Sequence, residues 1–292
     1  MSYTVAFALG RGKWAAMGLL LARSLSIHTD CEQFIFLPSE EAGAVPAAIR
    51  EECADHGRLH EAPPVHPGYP IATKLQAFKR AAEAASTDSV VLLDTDTLVV
   101  DRLTHTALGG AELAARPANF AHRRRETGMG EVLDPALFER FGYPFPTEQV
   151  DGAVDGEPMP ASWNAGVVAT TDHELPGEWL SLTLDVYEAM DPSHRRFADQ
   201  VALAMLATDR EVRELPAADN FPAAFRFRFP SSVRVLHYHG FHHLLRVRND
   251  ALRRTFERIG VADVKEKYVD EPVFTTGLKH VGTNLSHRIV GW

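Results

Sequence analysis

The run Val90-Val91-Leu92-Leu93, which stops abruptly on Asp94-Thr95-Asp96, constrains this chain more than any other feature. A continuous apolar run of that length reads as a strand buried on both faces, as in a parallel sheet covered by helices. Ligands of such sheets bind outside the carboxyl ends of the strands. Carboxylates spaced like Asp94 and Asp96 at a strand end repel one another unless a cation lies between them. A hard divalent ion takes one or two carboxylates together with substrate phosphates. On its own an Asp-x-Asp triplet is equally a solvated turn. Its place directly after the buried run favours the metal.

The flanking pattern supplies the rest of such a sheet. Tyr3 to Leu9 is rich in strand formers and closes on Gly10-Arg11-Gly12, and residues 14–27 carry an apolar stripe at Met17, Leu20, Leu21 and Leu25. Phe34 to Leu37 is a short buried-strand run, and Pro38-Ser39-Glu40-Glu41 a turn into the next helix. Lys74 to Ala85 is helical, with Leu75, Phe78 and Ala82 on one face. Strands alternating with helices at this spacing predict βαβ units and an open parallel sheet. After Val100 the rhythm breaks. Residues 104–160 read as loop, rich in proline, and carry the basic knot His122-Arg123-Arg124-Arg125. The pattern resumes with a strand at Val167 to Ala169, helices near 177–190 and 195–207, and a late strand at Val233 to Leu236. An amphipathic helix near 250–259 precedes a tail without clear period. With no repeat or linker, one α/β domain over residues 1–245 with an extension over 246–292 is expected.

Composition removes several functions. The chain has 39 acidic and 30 basic side chains, a formal net charge of −9. That is the wrong sign for general nucleic-acid binding, which needs a surplus of Lys and Arg at the interface. An anionic small molecule held by a local cluster of donors remains compatible. Cys31 and Cys53 make no disulfide framework and lack zinc spacing. Met17 to Leu21, ended by Arg23, is too short to span a bilayer, no later stretch approaches the roughly 18–20 apolar residues needed, and no signal sequence is expected. A cytoplasmic enzyme is expected.

Three further clusters carry chemistry. Four of the 14 histidines, His237, His239, His242 and His243, crowd around Gly240 after the late strand. Neutral imidazole coordinates Mn²⁺, so they form a candidate metal or phosphate site, with a polar surface turn as the alternative. Composition does not decide among the four. Asn164-Ala165-Gly166 at a strand entrance either presents an amide to a sugar hydroxyl or forms a turn. Asp199-Gln200 sits on the helix carrying Val201 and Ala204, where an isolated acidic residue reads as a complement to the helix dipole.

Taken in order, five motifs resemble those of the glycogenin-type (family 8) retaining glycosyltransferases. They are Asp94-Thr95-Asp96-Thr97-Leu98, Asn164-Ala165-Gly166, Asp199-Gln200, Leu215-Pro216 with Asn220, and His237-x-x-Gly240. Lys74-Leu75 and Ser24-Leu25 sit where that family places a Lys-Leu and a Ser-Leu pair, and the match runs over roughly residues 3–243. The resemblance implies a GT-A fold, a Rossmann-like and mostly parallel sheet flanked by helices. It implies a hexosyltransferase drawing on a nucleoside diphosphate sugar, most often UDP-linked, with retention of configuration. Asp94, Asp96 and His237 would hold Mn²⁺ (or Mg²⁺), which neutralises charge developing on the leaving diphosphate.

The same resemblance assigns the remaining positions. Ala8, Leu9, Gly10 and Lys13 would line the nucleobase and diphosphate, with Asp94 near the ribose. Lys74, Thr95, Gly166, Gly240 and His243 would also touch the donor. Asn164, Asp199 and Gln200 would face the transferred sugar and the acceptor as the catalytic set, with a front-face route expected. The family pattern His-x-x-Gly-x-x-Lys ends here on His243, so a fixed positive charge becomes one that depends on protonation. The acceptor is unidentified; read from the residues alone, Arg123 to Arg125 either receive an anionic one or form a solvated charge run. A homodimer is left open.

Two other readings compete. A catalytically weak or inactive chain of the same fold would only bind a nucleotide sugar. Val91 to Val100 is also similar to the first motif of haloacid dehalogenase-type phosphatases, whose first Asp is a nucleophile and whose second is a general acid. There Leu98 departs from the motif and the histidines have no role.

Overall fold

The computed structural model describes residues 2–104, 110–119, 132–226 and 228–269. Its first part alternates strand and helix: β1 (Tyr3–Ala8), α1 (Lys13–His28), β2 (Glu32–Pro38), α2 (Ala47–His56), β3 (Arg58–Ala62), α3 (Ala72–Ala84) and β4 (Ser89–Leu93). These strands pair in parallel in the order β3-β2-β1-β4. The apolar run at the end of β4 is continuous because the strand feeds two cores. Val91 and Leu93 pack with α1 on one face, Val90 and Leu92 with α3 on the other, as period-two alternation requires. Helix α1 approaches the sheet closely at Gly18, where a Cβ would lie 2.6 Å from Leu9 Cδ1.

Beyond β4 come β5 (Thr97–Val99), β6 (Leu113–Pro117), α4 (Pro135–Arg140), the hairpin β7 (Gln149–Asp151) and β8 (Pro158–Pro160), and β9 (Trp163–Thr170). Then follow α5 (Leu175–Ala189), α6 (Ala198–Leu206), β10 (Val212–Glu214), β11 (Phe221–Pro222) and β12 (Val235–His237). The main sheet reads β10-β6-β9-β4-β1-β2-β3. Strand β9 is antiparallel to both β4 and β6, and β10 is parallel to β6, so β9 alone runs against the others. The expected mostly parallel sheet is therefore present. The expected loop over 104–160 is corrected at Leu113–Pro117, which is a fully buried strand between β9 and β10. Its sequence, Leu-Ala-Ala-Arg-Pro, lacks the β-branched residues and the alternation by which strands are recognised. The basic knot at 122–125 lies outside the described residues.

A small second sheet, β11-β12-β5, positions the site. Strand β5 leaves the Asp-x-Asp turn directly and pairs antiparallel with β12, with His237 opposite Thr97. The late strand thus extends to His237 instead of ending before it.

At the end of the described chain are α7 (Phe241–Leu244), α8 (Asp250–Ile259) and α9 (Val261–Tyr268). Asn249 caps α8, its Oδ1 accepting from the N–H groups of Ala251 and Leu252, and Gly260 closes it at φ 81°. Leu252, Phe256, Ile259 and Val264 join the core around α1. The tail read as lacking a period begins with α9, whose eight residues are too few to display one. Among the described residues no helix is long and apolar enough to cross a membrane.

Candidate active site

The turn after β4 is pinned from three sides. Asp94 N–H donates to Gly166 O on β9 at 2.8 Å, and Thr95 Oγ1 to Ala8 O at the end of β1 at 2.6 Å. Tyr238 N–H donates to Asp96 O at 2.9 Å, continuing the β5–β12 ladder. That ladder brings the histidines to the acidic pair. His237 Nε2 lies 3.3 Å from Asp96 Oδ1 and 3.9 Å from Asp94 Oδ2. His239 Nδ1 lies 3.4 Å from Asp96 Oδ2. His239 reaches it with φ 56°, the one positive value at a non-glycine position among the described residues. Such backbone costs about 1–3 kcal/mol and persists where surrounding contacts enforce it.

Asp96, His237 and His239 can each offer one ligand atom within 4.8 Å of the others, a donor set suited to a divalent ion. Burial opposes ionisation of Asp96, yet His237 and His239 hold its carboxyl well below the usual carboxylate range. Burial likewise opposes the charge on His237, but Asp96 and Asp94 raise it overall. His239 is lowered by burial and by the neighbouring His237.

Asp94 belongs to a second cluster. Lys74 on α3 lies 2.9 Å from Asp94 Oδ1 and 2.9 Å from Asp199 Oδ2, and donates to Ala165 O at 3.1 Å. Burial disfavours the ammonium, but the two carboxylates outweigh it and raise its affinity for the proton. Asp94 itself is raised by burial, with Lys74 opposing. Asp199 opens α6 and is fixed from behind, where Trp179 Nε1 donates to its carbonyl at 2.8 Å. Its Oδ1 is buried without a hydrogen-bond partner. A buried carboxylate oxygen left so is costly unless a ligand completes it.

These groups open on one cleft of about 470 Å³. Ala8, Leu9, Gly10 and the half-exposed Trp14 line it together with Lys74, Asp94, Thr95 and Asp96. Asn164, Arg196, Phe197, Asp199, Gln200, His237 and His239 line it as well. Most expected site residues therefore converge, and four lie outside the cleft lining. Lys13 places its ammonium 5.4 Å over the Trp14 ring. Gly240 precedes α7, and His243 is buried in that helix with its ring 3.9 Å from that of His242. Gly166 lies behind His237.

Gly166 acts through what it lacks. A Cβ there would meet His237 Cε1 at 2.4 Å and Asn164 Oδ1 at 2.9 Å. Gly166→Ala is expected to displace His237 and cost about 1–3 kcal/mol from overpacking. Mn²⁺ titration and thermal unfolding check this, and unchanged metal affinity would refute it. Sequence reasoning did not single out Trp14 or Arg196. Trp14 follows Lys13 directly and Arg196 precedes Asp199 by three residues, and that proximity is their only signal in the sequence. His239 stood in the histidine cluster, where only the fold distinguishes it.

A family model described as the Rhodobacterales glycosyltransferase domain matches residues 5–210. Among solved structures the chain is similar to the galactosyltransferase LgtC in complex with donor and acceptor sugar analogs. Identity is 22%, over 88% of this chain and 95% of that one, with a TM-score of 0.54. An active-site mutant of LgtC aligns at 19% identity over 88% and 95%, with a TM-score of 0.52. The likeness is one of fold, and that fold is GT-A, a seven-stranded sheet flanked by helices. No curated protein matches the chain.

Proposed function

As the chain belongs to the Rhodobacterales glycosyltransferase family, we propose that it is a metal-dependent, retaining hexosyltransferase of the glycogenin type using a UDP-linked sugar. The observation that carries this reading is the convergence on one cleft of a metal-suited triad, Asp96, His237 and His239, with an unpartnered carboxylate oxygen on Asp199. A bound Mn²⁺ or Mg²⁺ would supply positive charge to a leaving diphosphate. Asp94, His237 and Asp96 remain the expected ligands. The 4.8 Å grouping supports His239 as a further one.

The chain's own groups then divide the work. Trp14, 42% exposed, offers an aromatic face to a nucleobase at the end of the cleft formed by Ala8, Leu9 and Gly10. Asp199 Oδ1 accepts a hydroxyl of the transferred sugar, while Oδ2 is held by Lys74. A carboxylate so paired is a weak nucleophile, which supports a front-face route with Gln200 beside the reacting carbon. Asn164 Oδ1 already accepts from Gly166 N–H at 3.0 Å and Asn220 Nδ2 at 2.8 Å, so its role toward the sugar is limited to its own NH₂ group.

The buried His243 lies away from the cleft and is a poor stand-in for the family lysine. Among the described residues that line the cleft, the cation offered to an anionic acceptor is Arg196, since Lys74 is paired. It is exposed, stacks 4.7 Å over Phe197 and has no carboxylate partner among the described residues.

The test is release of free nucleoside diphosphate from a panel of UDP- and other nucleotide-hexoses with Mn²⁺, Mg²⁺ or chelator. Neutral sugars and sugar phosphates serve as acceptors, and the anomer of the product is read by NMR. At least one donor should turn over, with loss of turnover in chelator and an α-linked product from an α-linked donor. No turnover and no binding of any donor at millimolar concentration would refute the reading.

A further inference from the structure

Behind the cleft, a chain of hydrogen bonds runs from β9 to the metal-facing histidine, and its polarity can be read from one fixed donor. Gly166 N–H can only donate, and it lies 3.0 Å from the side-chain atom of Asn164 assigned as Oδ1, which must therefore be oxygen. Two acceptors do not face each other. The atom of Asn220 that lies 2.8 Å from Asn164 Oδ1 is thus its NH₂ group. The other end of the Asn220 amide, 3.2 Å from His237 Nδ1, is then its oxygen. An oxygen at that place requires a proton on Nδ1.

We infer that Asn220 is a positioning residue that locks neutral His237 in the Nδ1–H tautomer and turns the Nε2 lone pair toward Asp96. Free histidine prefers the opposite tautomer, so the protein imposes this one. The lone pair then points at a carboxylate oxygen 3.3 Å away, an arrangement that demands a cation or a second proton between them. Hydrogen bonds of this kind to the far nitrogen set the orientation and basicity of metal-ligating histidines.

Asn220 is itself held at both ends. Arg116, buried on β6, donates from NH1 to Asn220 O at 2.6 Å and from NH2 to Ala153 O at 2.9 Å. Arg116 also stands opposite Asn164 in the β6–β9 register, at an irregularity in the pairing. Next to Asn220, the buried Asp219 is clamped by Arg234 at 2.5 and 2.7 Å. One amide thus joins the group facing the metal to Asn164 on the sugar side. The inference takes the metal-binding reading of His237 as its setting, but the tautomer is measurable without any metal or substrate.

Long-range ¹H–¹⁵N spectra of the metal-free full chain, at a pH where the ring is neutral, read the tautomer. His237 is assigned by the signal lost in His237→Gln. A protonated, pyrrole-like Nδ1 with a pyridine-like Nε2 is expected, and the reverse pattern or a mixture overturns the inference. Asn220→Leu, which removes the acceptor, should release the ring to the Nε2–H form and weaken Mn²⁺ binding by about 10–100-fold. Asn220→Asp keeps an acceptor toward Nδ1 and should keep a proton on that nitrogen, while losing the NH₂ donor to Asn164 Oδ1 costs it stability. If Asn220→Leu binds Mn²⁺ and titrates its ring as wild type does, the residue is merely structural and the inference fails. Should Asn220→Leu not fold, the wild-type spectrum and Asn220→Asp still decide. A chain with the expected ring spectrum but no transferase activity would sink the functional reading alone.

Discussion

Asp96→Asn is expected to lower metal-dependent donor turnover by at least about 10²-fold, the scale of removing one preorganised electrostatic group from a site. Both carboxylate oxygens are committed, Oδ1 toward His237 and Oδ2 toward His239, and the residue is 8% exposed. Asparagine keeps the shape and removes the charge that gathers the two imidazoles. Turnover measured across a Mn²⁺ titration checks this, and a wild-type metal dependence would overturn the assignment of Asp96. The same pair gives the metal-free protein a pH signature. A carboxyl depressed in the folded state stabilises above its unfolded value of about 3.9 and loses that contribution as pH falls. A histidine raised in the folded state stabilises below its unfolded value of about 6.5 and loses it as pH rises through the folded one. The advantage of wild type over Asp96→Asn in melting temperature should therefore peak between those limits and shrink on both sides.

Lys74→Met is expected to cost roughly 3–5 kcal/mol of stability, the range for breaking a buried ion pair from one side. Its ammonium is the shared counter-ion of Asp94 and Asp199, whose side chains are 21% and 4% exposed. Without it the partly buried Asp94 and the buried Asp199 carboxylates lose their common counter-ion. The double variant Lys74→Met with Asp199→Asn should recover part of the loss, because one carboxylate, Asp94, is then left without its counter-ion instead of two. Denaturant unfolding of the two variants and wild type measures both quantities. Equal stability of Lys74→Met and wild type would mean that the triad of contacts is solvated and contributes nothing.

What could be seen in the chain beforehand follows from the range of the forces involved. The β4 run was legible because alternate side chains enter two cores, so every residue must be apolar. The α1 stripe and the Asn-capped α8 were legible from local periodicity. Strand β6 was not, since Leu-Ala-Ala-Arg-Pro becomes a strand through its neighbours β9 and β10 and not through propensity. The helix expected after the turn at Pro38 to Glu41 is α2, whereas β3 was not anticipated. At the site, the motif order pointed to Asp94, Asp96, His237 and Asp199. It could not say that Asp94 turns to Lys74 while His239 turns to Asp96. That division depends on the left-handed backbone of His239 and on α3 bringing Lys74 against Asp94 and Asp199, and neither has a sequence period.

The β5–β12 pairing also has a kinetic consequence. It spans three residue pairs and joins the turn after β4 to a strand far along the chain. Closing so long a loop costs entropy before the new contacts repay it, which makes such pairings late events in folding. The acidic half of the centre emerges early during synthesis and its imidazole half long afterwards. In a nascent chain the carboxyl groups of Asp94 and Asp96 therefore exist long before the imidazoles that stand against Asp96 in the folded protein, and the grouping of Asp96, His237 and His239 is completed only after every strand of the main sheet has been made.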